Sequence, residues 1–150
     1  MKKKKVKSKK MKNPNFSFYY GNIQVPILII DSRFQVEYLN DAAENYRKSL
    51  EIDPEYGKAY AVRGEIKIYI DDYAGAIKDL NKAFEIDSED ADIYNNRGIA
   101  KKGCGDYAGA IQDLNKAFEI DPGNELIKNN LEYIKKEAIK NVWKKYRTKR

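Results

Sequence analysis

The sequence predicts an all-α fold in which antiparallel pairs of helices stack side by side. The main observation is an internal repeat, because residues 72–87 read DYAGAIKDLNKAFEID and residues 106–121 read DYAGAIQDLNKAFEID. The two segments differ only at Lys78 and Gln112, and they lie 34 residues apart. A period of about 20 to 50 residues indicates stacked supersecondary units rather than one globular core. Apolar residues at helical spacing indicate that these units are helical.

The composition limits the chemistry that this chain can perform. Its 150 residues suffice for one domain, and 42% of them are hydrophobic and 35% charged. There is no histidine, which removes the commonest general base and the commonest metal ligand. The single cysteine, Cys104, excludes an intrachain disulfide and a cysteine metal cage. We therefore expect a protein that is not an enzyme, needs no cofactor or metal, and works in a reducing compartment such as the cytoplasm.

Charge is unevenly distributed along the chain. Residues 1–12 contain eight lysines, residues 143–150 contain five basic residues, and neither segment contains an acid. The stretch between them has 16 basic and 23 acidic residues, so an acidic middle is flanked by two basic ends. We expect residues 1–22 to be a disordered basic tail and residues 147–150 to be a second basic tail.

The N-terminal third differs from the repeats. Residues 23–40 are rich in β-branched side chains and contain Pro26, which predicts an irregular segment with one or two short strands. A degenerate helix at this position remains an open alternative. The apolar run Val25–Ile30 is too short for a membrane-spanning helix and too late for a secretory signal, so we expect a soluble protein that is not exported.

From Asp41 onward, apolar spacing and helix-ending residues define six helices. Asp53-Pro54 ends the first of them, and Asp72 and Asp106 are the predicted N-caps of the third and fifth. The expected helices are Asp41–Ile52, Lys58–Ile70, Tyr73–Ile86, Ala91–Lys102, Tyr107–Ile120 and a longer last helix from about Glu125 to Tyr146.

The repeat unit resembles the tetratricopeptide repeat, a helix–turn–helix of 34 residues. The residues that carry the resemblance are Tyr60, Gly64, Tyr73, Ala76, Leu80 and Ala83 in the first full unit, and Tyr94, Gly98, Tyr107, Ala110, Leu114, Ala117 and Pro122 in the second. The resemblance implies a right-handed superhelix built from a half repeat at 41–56, full repeats at 57–90 and 91–124, and a capping helix at 125–146. Ser88 stands where the family usually has the closing proline.

Two packing predictions follow from these units. We expect the second helix of each unit to cross the first closely at Gly64 and Gly98, so that these positions need a small residue. This requirement outweighs the low helix propensity of glycine. Arg63 and Asp79 are sixteen residues apart, as are Arg97 and Asp113. We predict an ion pair between the helices of each unit, and the alternative is that these residues are solvated surface charges.

The family resemblance also implies a binding surface. In this family the first helix of each unit lines a concave groove that receives extended peptides or partner helices. The corresponding positions are Lys58, Ala61, Val62, Glu65 and Tyr69, then Asp92, Asn95, Asn96, Ile99 and Lys102, and on the terminal helix Asn129, Asn130 and Tyr133. Amide side chains at such positions can bond a peptide backbone without requiring a charge on the ligand. The leading hypothesis is a non-catalytic protein-interaction module.

One branch of the family binds the C-terminal carboxylate of heat-shock chaperones through a clamp of lysine, asparagine and arginine. Asn96 matches the asparagine of the middle unit. Ala61 and Glu65 stand where the clamp needs lysine and asparagine, and Leu126 and Asn130 stand where it needs basic residues. The clamp is therefore incomplete, and chaperone binding is not expected.

The basic ends support other hypotheses. The lysine-rich head is either a solubilising tail or a contact for nucleic acid, ribosomes or an anionic membrane surface. The runner-up function is therefore a nucleic-acid- or ribosome-associated adaptor. At the other end, Trp143, Tyr146 and their basic neighbours are suited to the same kinds of contact. The alternative is that they form an amphipathic helix end whose Trp143 covers the last repeat. Self-association is a further hypothesis, because a short stack leaves an apolar end.

Overall fold

The computed structural model describes residues 19–20, 23–24 and 32–147. It contains β1 (Tyr19–Tyr20), β2 (Ile23–Gln24), α1 (Ser32–Ile52), α2 (Gly57–Tyr69), α3 (Tyr73–Ile86), α4 (Ala91–Gly103), α5 (Tyr107–Ile120) and α6 (Glu125–Arg147). The two strands are antiparallel. The tails predicted at 1–22 and 147–150 lie largely outside the described residues. Of the irregular segment predicted at 23–40, residues 25–31 lie outside them, while β2 and the start of α1 lie within it.

The first helix begins earlier than the sequence analysis placed it. It starts at Ser32 rather than Asp41, so residues 32–40 of the segment expected to be irregular or β are helical. The β-branched run ends before this point, and residues 32–53 contain neither glycine nor proline. Nothing therefore interrupts the helix until Asp53-Pro54.

The helices form a stack in chain order. The pairs α2–α3 and α4–α5 pack as antiparallel hairpins, while α1 packs on α2, α3 on α4 and α5 on α6. Two apolar clusters fill the spaces between units. One contains Ala76, Leu80 and Ala100, and the other contains their counterparts 34 residues later, Ala110, Leu114 and Ile134, together with Leu131. Of the helices over residues 32–147, none has both the length and the hydropathy that a bilayer span requires.

The residues expected to pack the repeats occupy the following positions. Ala76, Leu80, Ala83, Ala110, Leu114 and Ala117 are completely buried, Gly64 and Gly98 are buried, Tyr60, Tyr73, Tyr94 and Tyr107 are half-buried, and Pro122 is exposed in the turn before α6. The predicted N-caps are confirmed, because the carboxylates of Asp72 and Asp106 accept hydrogen bonds from the amides of Gly75 (3.0 Å) and Gly109 (2.9 Å).

Glycine is required where the two helices of a unit cross. A Cβ at Gly64 would lie 2.8 Å from Cγ of Leu80, and a Cβ at Gly98 would lie 2.9 Å from Cγ of Leu114. The Gly98 Cβ would also lie 3.0 Å from the carbonyl oxygen of Ala110, which belongs to the backbone and cannot rotate away. Each leucine therefore occupies the space that the missing side chain leaves.

The predicted ion pairs are confirmed in both units. Arg63 donates to the two carboxylate oxygens of Asp79 at 2.7 and 2.6 Å. Arg97 donates to Asp113 at 2.8 and 2.9 Å. Bidentate geometry of this kind makes strong, orientation-specific pairs.

A lysine joins each pair, which the sequence analysis missed. Lys67 lies 2.9 Å from Asp79, and Lys101 lies 2.7 Å from Asp113. The available signal was that each lysine follows its arginine by one helical turn and so shares its face. Burial by itself would raise the pKa values of the two aspartates, but the hydrogen bonds from arginine and lysine outweigh it, and both pKa values lie below their ordinary range.

We predict that Gly98→Ala lowers the free energy of unfolding by about 1–2 kcal/mol, because the overpacking cost exceeds the gain in helix propensity. Chemical denaturation followed by circular dichroism measures the change. Gly123→Ala is the matched control, since a Cβ there would have no neighbour closer than 3.8 Å. Equal stability of the Gly98→Ala variant and the parent would contradict the close-approach argument.

We predict that Asp113→Asn lowers the free energy of unfolding by about 2–3 kcal/mol, because Arg97 and Lys101 lose a buried counter-charge. The carboxylate side chain is only 7% exposed. Glu119→Gln is the control of equal charge change, since Glu119 is 66% exposed and pairs only at the surface with Lys116. It should have little effect on the denaturation midpoint.

The same aspartates give a pH dependence with a defined sign. The pKa values of Asp79 and Asp113 in the folded state lie below the unfolded value of about 4. Their contribution to the free energy of unfolding is therefore complete above the unfolded pKa, and it is lost as the pH falls through the folded pKa. The parent should lose stability below about pH 4, and the Asp113→Asn variant should lose less over the same range. Identical pH profiles of the two proteins would show that Asp113 is not the group responsible.

Candidate functional site

The candidate site is the surface formed by the first helix of each unit, which we call the groove. Its three helices are neighbours, because α2 contacts α4 and α4 contacts α6. Two of them begin at a side-chain cap. The Asp90 carboxylate accepts from the amides of Asp92 (2.8 Å) and Ile93 (3.4 Å), and the Asn124 side-chain oxygen accepts at 3.1 Å from the amide of Leu126. These caps fix where α4 and α6 start and therefore which side chains share the groove.

The residues predicted for the groove differ in exposure. Lys58, Asp92, Asn129 and Tyr133 are exposed, Ala61, Val62, Glu65, Tyr69, Asn96, Ile99, Lys102 and Asn130 are half-buried, and Asn95 is buried. The surface is therefore a mixture of small apolar, amide and charged groups.

A chain of amides links α4 to α6 along the groove. The Asn130 side-chain amide donates to the Asn95 oxygen at 2.9 Å, and the Asn95 amide donates to the Asn96 oxygen at 3.3 Å. Asn95 is 4% exposed and bonds both neighbours, so little of its side chain is accessible for the ligand contact that the sequence analysis predicted. The NH₂ group of Asn96 and the oxygen of Asn130 are not used within this chain of hydrogen bonds, and they are the amide groups suited to an incoming backbone.

A second contact between α4 and α6 lies at the other end of α4. The ammonium group of Lys102 lies 5.3 Å from the centroid of the Tyr133 ring. This is within the range of a cation–π interaction. It brings together two residues that the sequence analysis assigned to different units of the groove.

Two carboxylates give the groove an acidic region. Burial raises the pKa of Glu65, and the nearby Asp92 raises it further, while a hydrogen bond from the Tyr69 hydroxyl (3.2 Å) opposes the change. Although Asp92 is exposed at the surface, partial desolvation of its carboxylate raises its pKa, with added repulsion from Asp90 and Asp121. The carboxylates are therefore held at an energetic cost, which a cationic group of a ligand would relieve.

Within residues 32–147, cysteine and acidic side chains do not gather in threes where an ion could be held. Cys104 is exposed in the turn after α4. The groove presents hydrogen-bond donors, hydrogen-bond acceptors and charged groups.

We predict that Glu65→Gln raises the free energy of unfolding at neutral pH, because it removes a half-buried charge and can keep the bond from Tyr69. A folded pKa above the unfolded value means that ionisation costs stability above the folded pKa and costs nothing below the unfolded pKa. The gain should therefore shrink as the pH is lowered towards 4. Denaturation curves over this range measure it, with exposed Glu119→Gln as the control. A loss of stability at neutral pH would contradict the assignment.

Comparison with known proteins agrees with this geometry. A family model described as "TPR repeat" matches residues 64–103, and a second, described as "Tetratricopeptide repeat", matches residues 91–124. No curated protein sequence matches the chain.

Solved structures with a similar fold include several TPR domains. The Arabidopsis OM64 TPR domain is 22% identical with a TM-score of 0.64, and the match covers 70% of this chain and 87% of that one. The first TPR of Spaghetti (RPAP3), bound to the HSP90 peptide SRMEEVD, is 23% identical with a TM-score of 0.66, covering 71% and 84%. The second TPR domain of human RPAP3, in complex with the HSP70 peptide SGPTIEEVD, is 26% identical with a TM-score of 0.63, covering 68% and 85%. The predicted all-α stack of antiparallel helix pairs is confirmed.

Proposed function

This chain is a tetratricopeptide repeat protein, and from that premise we propose that it is a non-catalytic protein-interaction module. It holds an extended peptide or a helix of a partner protein in the groove formed by α2, α4 and α6. The single cysteine favours a reducing compartment, and the proposal places the protein in the cytoplasm.

The amide chain of the groove is the observation that carries the proposal. Asn95 is buried, donates to Asn96 and accepts from Asn130, which helps to fix the positions of these two neighbours. Polar groups that are held in place lose little conformational entropy when they bind a ligand. A peptide backbone presents the alternating donors and acceptors that such amides match.

The charges of the groove favour a different peptide from those of the structural neighbours. The RPAP3 domains are bound to peptides that end in Glu-Glu-Val-Asp. Here Ala61 and Glu65 occupy positions where that mode of binding needs lysine and asparagine, and Leu126 and Asn130 occupy positions where it needs basic residues. Glu65 and Asp92 would repel a carboxylate, so we propose that the partner segment is neutral or carries a basic residue.

We predict that Asn96→Ala combined with Asn129→Ala weakens partner binding about tenfold, because two hydrogen bonds worth about 1 kcal/mol each are partly lost. Asn129 is the exposed groove amide next to Asn130, and replacing it leaves the bond from Asn130 to Asn95 in place. The measurement is affinity capture from cell extract with the full chain, with partners identified by mass spectrometry. The matched control is Gln112→Ala with Asn115→Ala, which removes two exposed amides from α5.

The same experiment separates the groove from the basic ends. Partners that survive nuclease treatment and high salt, but are reduced by the groove variant alone, support the proposal. Partners that disappear with nuclease would favour the nucleic-acid or ribosome adaptor. A partner set that neither the groove variant nor nuclease changes would contradict both functions.

A further inference from the structure

The end of α6 extends beyond the helical stack. Ile134 is the last side chain of α6 that is buried, and every residue from Ile139 to Arg147 is exposed. At 1.5 Å per residue, the helix continues for about 20 Å past Ile134. The apolar side chains of the extension are not part of the two apolar clusters described for the stack.

This extension is not a repeat surface that has lost its partner helix. The positions 34 residues after Tyr94, Gly98 and Lys101 would receive the second helix of another unit, and Lys128, Glu132 and Lys135 occupy them. All three are exposed. Glu132 stands where close packing of another helix would require glycine, so this face of α6 is not built to receive a further unit. The extension therefore begins where the repeat architecture ends.

The extension is strongly amphipathic. Ile139, Val142, Trp143 and Tyr146 recur at spacings of three and four, which places them within an arc of about 100° on a helix of 3.6 residues per turn. Their exposed fractions are 59%, 54%, 67% and 69%. Trp143 therefore does not cover the last repeat, as one interpretation of the sequence had it.

The rest of the circumference is cationic. Lys140, Lys144, Lys145 and Arg147 occupy it together with the uncharged Asn141, and residues 138–147 contain no acid. The Lys140 ammonium lies 2.8 Å from Glu137, which precedes the extension. Lysine and arginine beside an apolar arc can keep their charged ends at a polar surface while the stems lie along apolar material.

We propose that this extension, Ile139–Arg147, is a binding site for an anionic lipid surface. A helix with one apolar face containing tryptophan and a lysine-rich opposite face lies in the plane of a membrane interface. Tyrosine and tryptophan favour this interface because their rings are apolar and their polar atoms reach water. The charge of the extension is complementary to the headgroups of acidic phospholipids.

The segregation of the two faces argues for lipid over nucleic acid. Single-stranded nucleic acid is bound by aromatic rings with cations among them along one groove. Here Ile139 and Val142 share a face with the aromatic rings and have no use in phosphate binding. The extension lies beyond the groove residues of α6, so one molecule can hold a partner protein while it is attached to a membrane.

The test uses the intrinsic fluorescence of Trp143, the only tryptophan of the chain. The full-length protein is mixed with vesicles of phosphatidylcholine containing phosphatidylserine, or with vesicles of phosphatidylcholine alone. The proposal requires Trp143 emission to move to shorter wavelength and the protein to sediment with the anionic vesicles only. Added salt should reverse both effects, because it screens the attraction.

Variants identify the face responsible. Ile139→Asp with Val142→Asp should abolish the emission shift, and Lys144→Glu with Lys145→Glu should weaken vesicle binding at least tenfold. Leu126→Asp is the matched control, since Leu126 is also an exposed apolar residue of α6 (62%) but lies at its other end. The groove variant Asn96→Ala with Asn129→Ala should bind vesicles like the parent, so the two proposals fail independently.

Three outcomes would overturn the proposal. Sedimentation with anionic vesicles and no change in Trp143 emission would assign binding to another basic segment, such as the lysine-rich head. An equal shift on adding single-stranded RNA without vesicles would assign the extension to nucleic acid. A shift that depends on protein concentration alone would assign it to a second copy of this chain.

Discussion

The close crossing of the two helices within each repeat is the constraint on which the rest of the structure depends. Leu80 and Leu114 fill the positions that a side chain at Gly64 or Gly98 would need. Because the helices approach this closely, the alanines around the leucines are completely buried and the next unit packs against an apolar surface. A single helix pair buries too little to be stable, so the geometry of one crossing is useful only when it is repeated.

The buried ion clusters fix the orientation of the helices that the apolar contacts hold together. A leucine in an alanine-lined space tolerates some rotation, whereas a bidentate arginine–aspartate pair has one geometry. Arg97 also links the two units, because it donates to Asn81 at 3.2 Å and lies 4.7 Å from the centroid of the Phe84 ring. Removing one partner is costly because the remaining charges are largely buried. The clusters therefore contribute to the register of neighbouring units, and hence to the alignment of the groove helices.

The groove and the end of α6 depend on the packing of the units in different ways. The groove is formed by three helices that pack side by side. In it, the buried Asn95 hydrogen-bonds Asn96 and Asn130 and so helps to position them. The extension of α6 is supported only by its continuity with a helix that is anchored at Ile127, Leu131 and Ile134. The first surface is suited to a ligand of defined shape. The second is suited to a surface without fixed shape, where an apolar arc and charge suffice.

The sequence by itself determined the helix pairs, their caps and the partners in the arginine–aspartate ion pairs, because these features repeat every 34 residues or follow from local spacing. It did not determine the start of α1, because the β-branched residues before Ser32 gave a strand signal that the following residues do not continue. Only the tertiary structure decided that Asn95 is buried, that Lys67 and Lys101 join the ion pairs, and that Trp143 faces solvent. The burial of Asn95 and the exposure of Trp143 depend on which helices pack against each other, and no local pattern sets that packing. The lysines had a local signal, the spacing of one helical turn from each arginine, but only the packing of the paired helix brings an aspartate within their reach.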